Sequence, residues 1–265
     1  MKILKRYVES GKSIEVLDWE LPVWITDEMG DRLDNNYYSP SYIEARKKIE
    51  PLGTRAFGDL IDNIRSGTNP TEDGDIPLLE GRNLSPNYIM PDIEKYAKIS
   101  EEDKKEKILK ENDILIIKDG SPGTVSVILK PILDFFNGLI TAGEHIYIIR
   151  LKQEYITLAP FITAFLNSKT GQALLRRYIT GAISPSISDS SLKEIPIPMP
   201  NEDVVKEAKE KLEELQRIVI EIMHPTKISE KILEKIGIKD DIQSYLPMNW
   251  MPAGKRDAHG YYRRG

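Results

Sequence analysis

The sequence predicts an α+β fold: one domain on a mixed, twisted small β-sheet with flanking helices, followed by a long C-terminal coiled-coil-type helix. Three observations carry this. Four short apolar runs between residues 75 and 151 are each bounded by Gly, Pro, Asp or Asn, the pattern of strands and turns. Helical patterns are sparse before residue 158. From Asn201 an apolar heptad takes over, with Val205, Ala208, Leu212, Leu215, Val219 and Ile222 recurring at alternating spacings of three and four.

In chain order, residues 1–52 read as a lead-in. "IEVLDWELPVWITD" (14–27) is strand-like but broken by Pro22, and Ser39-Pro40 opens a short helix through Ile49. Residues 53–200 form the main domain. Its strands are "DIPLLEGRNL" (75–84), "DILIIKDG" (113–120), "GTVSVIL" (123–129) and "EHIYIIRL" (144–151), with "DGSPG" (119–123) as a tight turn between the middle two. Ser100 with Asp103 is a helix-start box and predicts one exposed helix in "SEEDKKEKILK". Two helices close the region, around 158–168 and over 169–181, with Gly181 as the stop of the second.

"EIPIPMP" (194–200) alternates Ile195, Ile197 and Met199 with Pro196, Pro198 and Pro200. Proline lacks the backbone donor, so this segment belongs at a sheet edge or in an extended stretch that stiffens the exit from the domain. Asn201 caps the next helix, with Glu202 and Asp203 in its first turn, and His224-Pro225 ends it. The narrow stripe over 201–223 suits pairing with another helix; a single amphipathic helix docked on its own domain is the alternative. A second short helix (227–236) stops at Gly237, and residues 238–265 form a tail with no apolar period.

With 265 residues, 40% hydrophobic and 30% charged, the chain can bury a substantial core. No apolar run reaches membrane-spanning length, and the start has no apolar h-region, so neither a membrane partner nor a signal peptide is expected. The absence of cysteine excludes disulfides, thiolate zinc sites and cysteine nucleophiles, and fits a cytoplasmic protein. His145, His224 and His259 have no metal-ligand spacing, and His145 falls in a strand. Neither G-x-G-x-x-G nor G-x-x-x-x-G-K-[ST] occurs, so no cofactor is expected. Asp92 followed by Glu102-x-Lys104 fits a loose metal-nuclease pattern. That chemistry needs its acids on adjacent strands, whereas Glu102 and Lys104 fall in the first turn of an exposed helix. The chain does not read as an enzyme acting alone.

Net charge is −5, and residues 53–200 carry 17 Lys/Arg against 20 Asp/Glu. That is the wrong sign for a binder of phosphate backbones. Any nucleic-acid contact must use a local face or borrow charge from a partner.

Six segments, taken in order, carry a resemblance: "RLDNNYYSPSYIE" (32–44), "FGDLIDNIRSGTNP" (57–70), "DIPLLEGRNLS" (75–85), "LKENDILIIKDGSPGTVSVI" (109–128), "FLNSKTGQALLRRYITGAISPSIS" (165–188) and "LKEIPIPMPNEDVVKEAKEKLEEL" (192–215). Together they resemble the specificity (S) subunit of type I restriction–modification systems, in a form with one target-recognition domain and one long helix instead of two of each. The resemblance implies a non-catalytic, sequence-specific reader of one half of a bipartite target in double-stranded DNA. Its implied partners are DNA methyltransferase (modification) subunits, a restriction subunit, and a second copy paired through the 201–223 helix, which would set the spacing of two half-sites. A regulatory or relic half-subunit, pairing without reading DNA, is the alternative.

Under that resemblance the candidate DNA contacts are polar residues in glycine-punctuated turns: Arg65, Ser66 and Thr68; Arg82 and Asn83; Lys118, Ser121 and Thr124; Ser184 and Ser186, with Ser188 beside them. Each could equally be a solvated turn-maker. Arg176-Arg177 reads as a phosphate clamp or as a solvated helix face. Val205, Ala208, Leu212, Leu215, Val219 and Ile222 are the candidate pairing residues.

Overall fold

The structure is a computed structural model that describes residues 13–18, 21–26, 40–181 and 183–224. The short helix expected at 227–236 and the tail at 238–265 lie outside the described residues, as do most of residues 1–39.

The first described element is an antiparallel ribbon, β1 (Ser13–Asp18) with β2 (Leu21–Thr26); Pro22 lies within the second strand, opposite Leu17, instead of breaking it. Next come α1 (Pro40–Ile49), β3 (Thr54–Ala56), α2 (Phe57–Leu60) and β4 (Ile61–Ser66). The middle of the chain runs β5 (Ile76–Leu79), β6 (Leu84–Ser85), β7 (Tyr88–Ile89), β8 (Lys95–Ala97), α3 (Glu101–Lys107), β9 (Ile114–Ile117), β10 (Val125–Val127), α4 (Lys130–Phe135), β11 (Thr141–Ala142) and β12 (Ile146–Leu151). It closes with α5 (Ala159–Asn167), α6 (Lys169–Arg176), α7 (Asp189–Lys193), β13 (Pro196–Pro198) and the long α8 (Glu202–Met223).

The α+β class is as expected, but the strands divide among several small sheets. The central sheet has the order β10-β9-β12-β4 and is wholly antiparallel; the mixed pairing occurs in a second sheet, β11-β5-β8, where β11 runs parallel to β5. The central strands are apolar at nearly every position because both faces are covered. Ile114, Ile116 and Ile149 face one cluster with α1, α5 and α6 residues such as Tyr42, Ile162 and Leu174. Leu115, Ile117 and Ile148 face the other, with Leu79, Ile89 and Ile132.

Local signals explain most boundaries. Ser100 caps α3 by accepting a hydrogen bond from Asp103 N (3.2 Å), and Asn201 caps α8 by accepting one from Val204 N (3.0 Å). The helix expected over 169–181 ends at Arg176, and Gly181 is not its stop: with φ at 92°, it turns the following loop. A side chain there would strike the carbonyl oxygen of Ser184. The proline-rich segment forms β13, paired with β3 in a two-stranded sheet where missing donors are tolerated. Ile195 and Ile197 are fully buried beneath it, and Met199 packs on the same cluster.

Helix α8 lies across α5, α4 and β7. Leu212 is buried in the first core cluster, where Val205 also packs, and Ile220 reaches the second. The helix therefore crosses the seam between the two cores.

Candidate nucleic-acid interface

Antiparallel pairing decides where the loops emerge. Ser66 at the end of β4 lies opposite Tyr147 near the start of β12, and Ile117 at the end of β9 lies opposite Ile146. The loops after β4 and β9, and those before β10 and β12, thus leave the same end of the central sheet. Backbone hydrogen bonds tie them together. Thr68 N donates to Ala142 O (2.8 Å), Lys118 N to His145 O (3.0 Å), and Ile187 N to Lys118 O (2.8 Å). Thr180 and Ser186 exchange two bonds of 2.8 Å, and Gly120 N reaches Pro185 O. Gly67 must remain glycine, because a Cβ would run into the carbonyl oxygens of Ala142 and Gly143. Ser66, Thr68, Lys118, Ser121, Thr124, Ser184 and Ser186 are in this way gathered on one surface.

On that surface Lys118 Nζ donates to Ser66 Oγ (3.0 Å) and lies 5.7 Å from the centre of the Tyr147 ring. Burial, reinforced by Asp189, holds the Tyr147 phenol above the ordinary tyrosine range. Ser66, Ser121 and Ser184 are exposed, while Thr68, Lys118, Thr124 and Ser186 are half-buried.

Two features of this surface are absent from the sequence-based set. His145 lies in the turn before β12, not within a strand, and its Nδ1–H donates to Asp119 Oδ1 (2.6 Å). Ile183 is 100% exposed. Neither residue has a recognisable spacing signal, since both arise from contacts between loops distant in sequence.

The remaining candidates are engaged elsewhere. Asn83 is buried: its Oδ1 accepts from Glu80 N (2.8 Å), and its amide donates to Met90 O (3.2 Å) and Asp92 O (2.7 Å). It closes the turn after β5 and offers no free donor. Arg65 points towards the Arg150–Asp113 pair, and its guanidinium nitrogens are shielded from solvent without a hydrogen-bond partner. Burial, then the Arg150 charge, pushes its pKa down. Arg82 is partly exposed but paired with Glu94 and Glu80, and the Glu94 hydrogen bond raises its pKa. Arg177 stacks on Tyr42 at 3.9 Å, a use that neither expectation for Arg176-Arg177 included; Arg176 is exposed.

Glu102 stands exposed on α3, Lys104 pairs with Glu101 (2.6 Å), and Asp92 uses its backbone oxygen to hold Asn83. Among the described residues no group of acidic or histidine side chains is arranged to hold a metal ion, and no helix is long and apolar enough to cross a membrane.

The gathered surface is polar without being basic: Lys118 stands beside Asp119, Glu144 and His145. Its hydroxyls and ammonium suit hydrogen bonding to base edges better than broad phosphate neutralisation.

Comparison with known proteins gives one family match. Residues 57–234 match the type I restriction modification DNA specificity domain. Among solved structures, similar chains include one from a study of complex assembly and conformational transition of the type I R-M system (16% identity, TM-score 0.41). Two others are the type I restriction–modification S subunit from M. genitalium (16%, 0.40) and the HsdS subunit from Thermoanaerobacter tengcongensis (16%, 0.37). These alignments cover 74%, 69% and 67% of this chain but only 51%, 42% and 45% of the others, so the chain spans about half their length. No curated protein matches.

Proposed function

Because the chain belongs to the type I restriction modification DNA specificity domain family, we propose that it is a half-sized specificity subunit reading one half-site of a bipartite sequence in double-stranded DNA. The observation that carries this reading is the convergence of Ser66, Lys118, Ser121 and Ser184 at one end of the central sheet. Lys118 suits guanine O6 and N7, and the hydroxyls can pair with either donors or acceptors in the major groove. Thr68, Thr124 and Ser186 line the same surface. The chain itself performs no catalysis; methyl transfer and cleavage belong to modification and restriction subunits docked on it. Those subunits also supply much of the attraction for phosphate, so the isolated chain binds DNA weakly and with marked salt dependence.

Pairing of two copies through α8 sets the half-site spacing. The face with Leu212 and Gln216 is occupied by the chain's own domain. The adjoining face exposes Val204, Ile218 and Ile222, with Ala208 and Leu215 half-buried between them and the Leu212 line. This second stripe, offset from the Leu212 line, is where a partner helix would pack.

The test is methylation mapping of DNA in cells that express the chain with the methyltransferase encoded beside it. A symmetric bipartite motif is expected. An unchanged methylome would overturn DNA reading and leave the regulatory half-subunit.

A further inference from the structure

The ring of His145 is two-thirds exposed on the gathered surface, yet it is held in place. Its Nδ1 lies 2.6 Å from Asp119 Oδ1, and Lys118 N donates to the His145 carbonyl oxygen (3.0 Å) beneath it. Asp119 is itself tied down by a backbone bridge to Ser186. A carboxylate can only accept, so the proton sits on Nδ1 and the neutral ring leaves Nε2 as an acceptor on its far side. Among the described residues nothing donates to that nitrogen. Its neighbour is Glu144 Oε1 at 3.7 Å, another acceptor and too far for a hydrogen bond. With its amide turned to donate, Asn69 reaches both Glu144 oxygens, at 2.6 and 2.9 Å. The loops after β4 and β9 thus hold two acceptors side by side at the start of β12, and the imidazole still lacks a donor.

Resting on the DNA reading proposed above, we infer that His145 is a specificity-determining residue whose Nε2 accepts a hydrogen bond from an exocyclic amino group, adenine N6 or cytosine N4, in the major groove. At a given strand position guanine presents N7 and O6 and thymine presents O4, all acceptors, which would meet Nε2 lone pair against lone pair. The ring therefore separates adenine from guanine, or cytosine from thymine, a choice that a hydroxyl able to donate or accept does not make. Phosphate is a poor partner here, because the Asp119 and Glu144 carboxylates flank the ring and repel it. Asp119 touches no base; it is a positioning residue that sets the tautomer and the angle of the ring.

The test selects binding duplexes from a randomised library with the full chain and its methyltransferase subunits. Each adenine of the selected half-site is then replaced in turn by purine, and each cytosine by pyrimidin-2-one, changes that delete only the amino group. Wild-type protein is expected to lose about fivefold in affinity at one position, the scale of one hydrogen bond, and the analogue that responds names the base. His145→Ala should bind that duplex and its parent equally, with the salt slope and the unfolding temperature of wild type. Asp119→Asn can donate to Nδ1 and drive the proton to Nε2, so its preference at the same position should shift towards guanine or thymine. Unchanged preference in Asp119→Asn overturns the positioning role. If no amino deletion separates wild type from His145→Ala, the inference falls while DNA reading stands; failure of wild type to select any sequence overturns both. An even loss across sequences with a shallower salt slope in His145→Ala makes the ring a phosphate contact, and a loss that only tracks a lower unfolding temperature makes it structural. Either result overturns the inference.

Discussion

Gln216 grips both backbone groups of Ile89: its Oε1 accepts from Ile89 N and its Nε2 donates to Ile89 O, each at 2.8 Å. Gln216 is 1% exposed and Ile89 fully buried, so this amide completes the hydrogen bonding of a short strand, β7, that among the described residues pairs only with β6. It also fixes the rotation of α8 on the domain. Gln216→Leu keeps the volume but orphans two buried backbone groups and should lower unfolding free energy by about 2 to 4 kcal/mol, measured by urea denaturation. A change below about 0.5 kcal/mol would mean that the clamp does not hold the helix.

The Arg150–Asp113 pair should be the most sensitive ion pair among the described residues. Nε and Nη2 of Arg150 meet the two Asp113 oxygens at 2.8 and 3.0 Å, Lys110 N also donates to Oδ2, and the Asp113 side chain is 2% exposed. Asp113→Asn leaves two arginines crowded without their carboxylate and should cost about 3 kcal/mol. Arg65→Leu should do the reverse, raising the denaturation midpoint by removing a guanidinium that is shielded and unbonded, and should leave half-site preference unchanged.

Lys118→Ala is expected to weaken half-site binding and change the base preferred at one position, read by competition among selected duplexes in the assembled complex. If Lys118 contacts phosphate instead, affinity falls evenly across sequences and the log–log salt slope drops by about 1. Either result places Lys118 at the DNA. No change in affinity or preference would remove it.

The two faces of α8 should separate by mutation. Leu212→Ala cuts into the core and should cost about 2 to 4 kcal/mol in stability. Ile218→Lys with Ile222→Lys should leave thermal unfolding of the domain nearly unchanged while dispersing a dimer, read by sedimentation velocity. If the double lysine variant sediments as wild type, pairing through this stripe is wrong.

Replacing Pro196, Pro198 and Pro200 with alanine should broaden the tolerated spacing between half-sites before it alters half-site preference, because the stretch from β13 into α8 loses its rigidity. Methylation mapping across a spacer-length series measures this, and unchanged spacing tolerance would defeat it.

Elements were legible in the sequence wherever a local rule governed them. Ser100 and Asn201 cap helices as their side chains dictate, and "EIPIPMP" sits at a sheet edge because proline permits little else. Three of the four apolar runs became single strands, while the first, 75–84, holds β5, a tight turn at Gly81–Asn83 and the start of β6. The site was legible only in part, because whether a polar residue faces outward depends on distant partners. Ser66 and Lys118 meet across the sheet. Asn83 turns inward to carbonyls at Met90 and Asp92, and Arg65 lies beside Arg150; nothing in a residue's own neighbourhood reveals either contact. The helix expected from Asn201 formed over Glu202–Met223, but one apolar period cannot say which line of residues meets which neighbour.

The loops at the end of the sheet are joined by main-chain bonds, from Thr68 to Ala142, Lys118 to His145, Ile187 to Lys118 and between Thr180 and Ser186. The exposed side chains of Ser66, Ser121, Ile183 and Ser184 are therefore spared any part in holding the architecture upright. Under the proposed reading, substitutions there change what the surface contacts and scarcely touch whether the chain folds, so the same scaffold can be turned to a new target without being rebuilt.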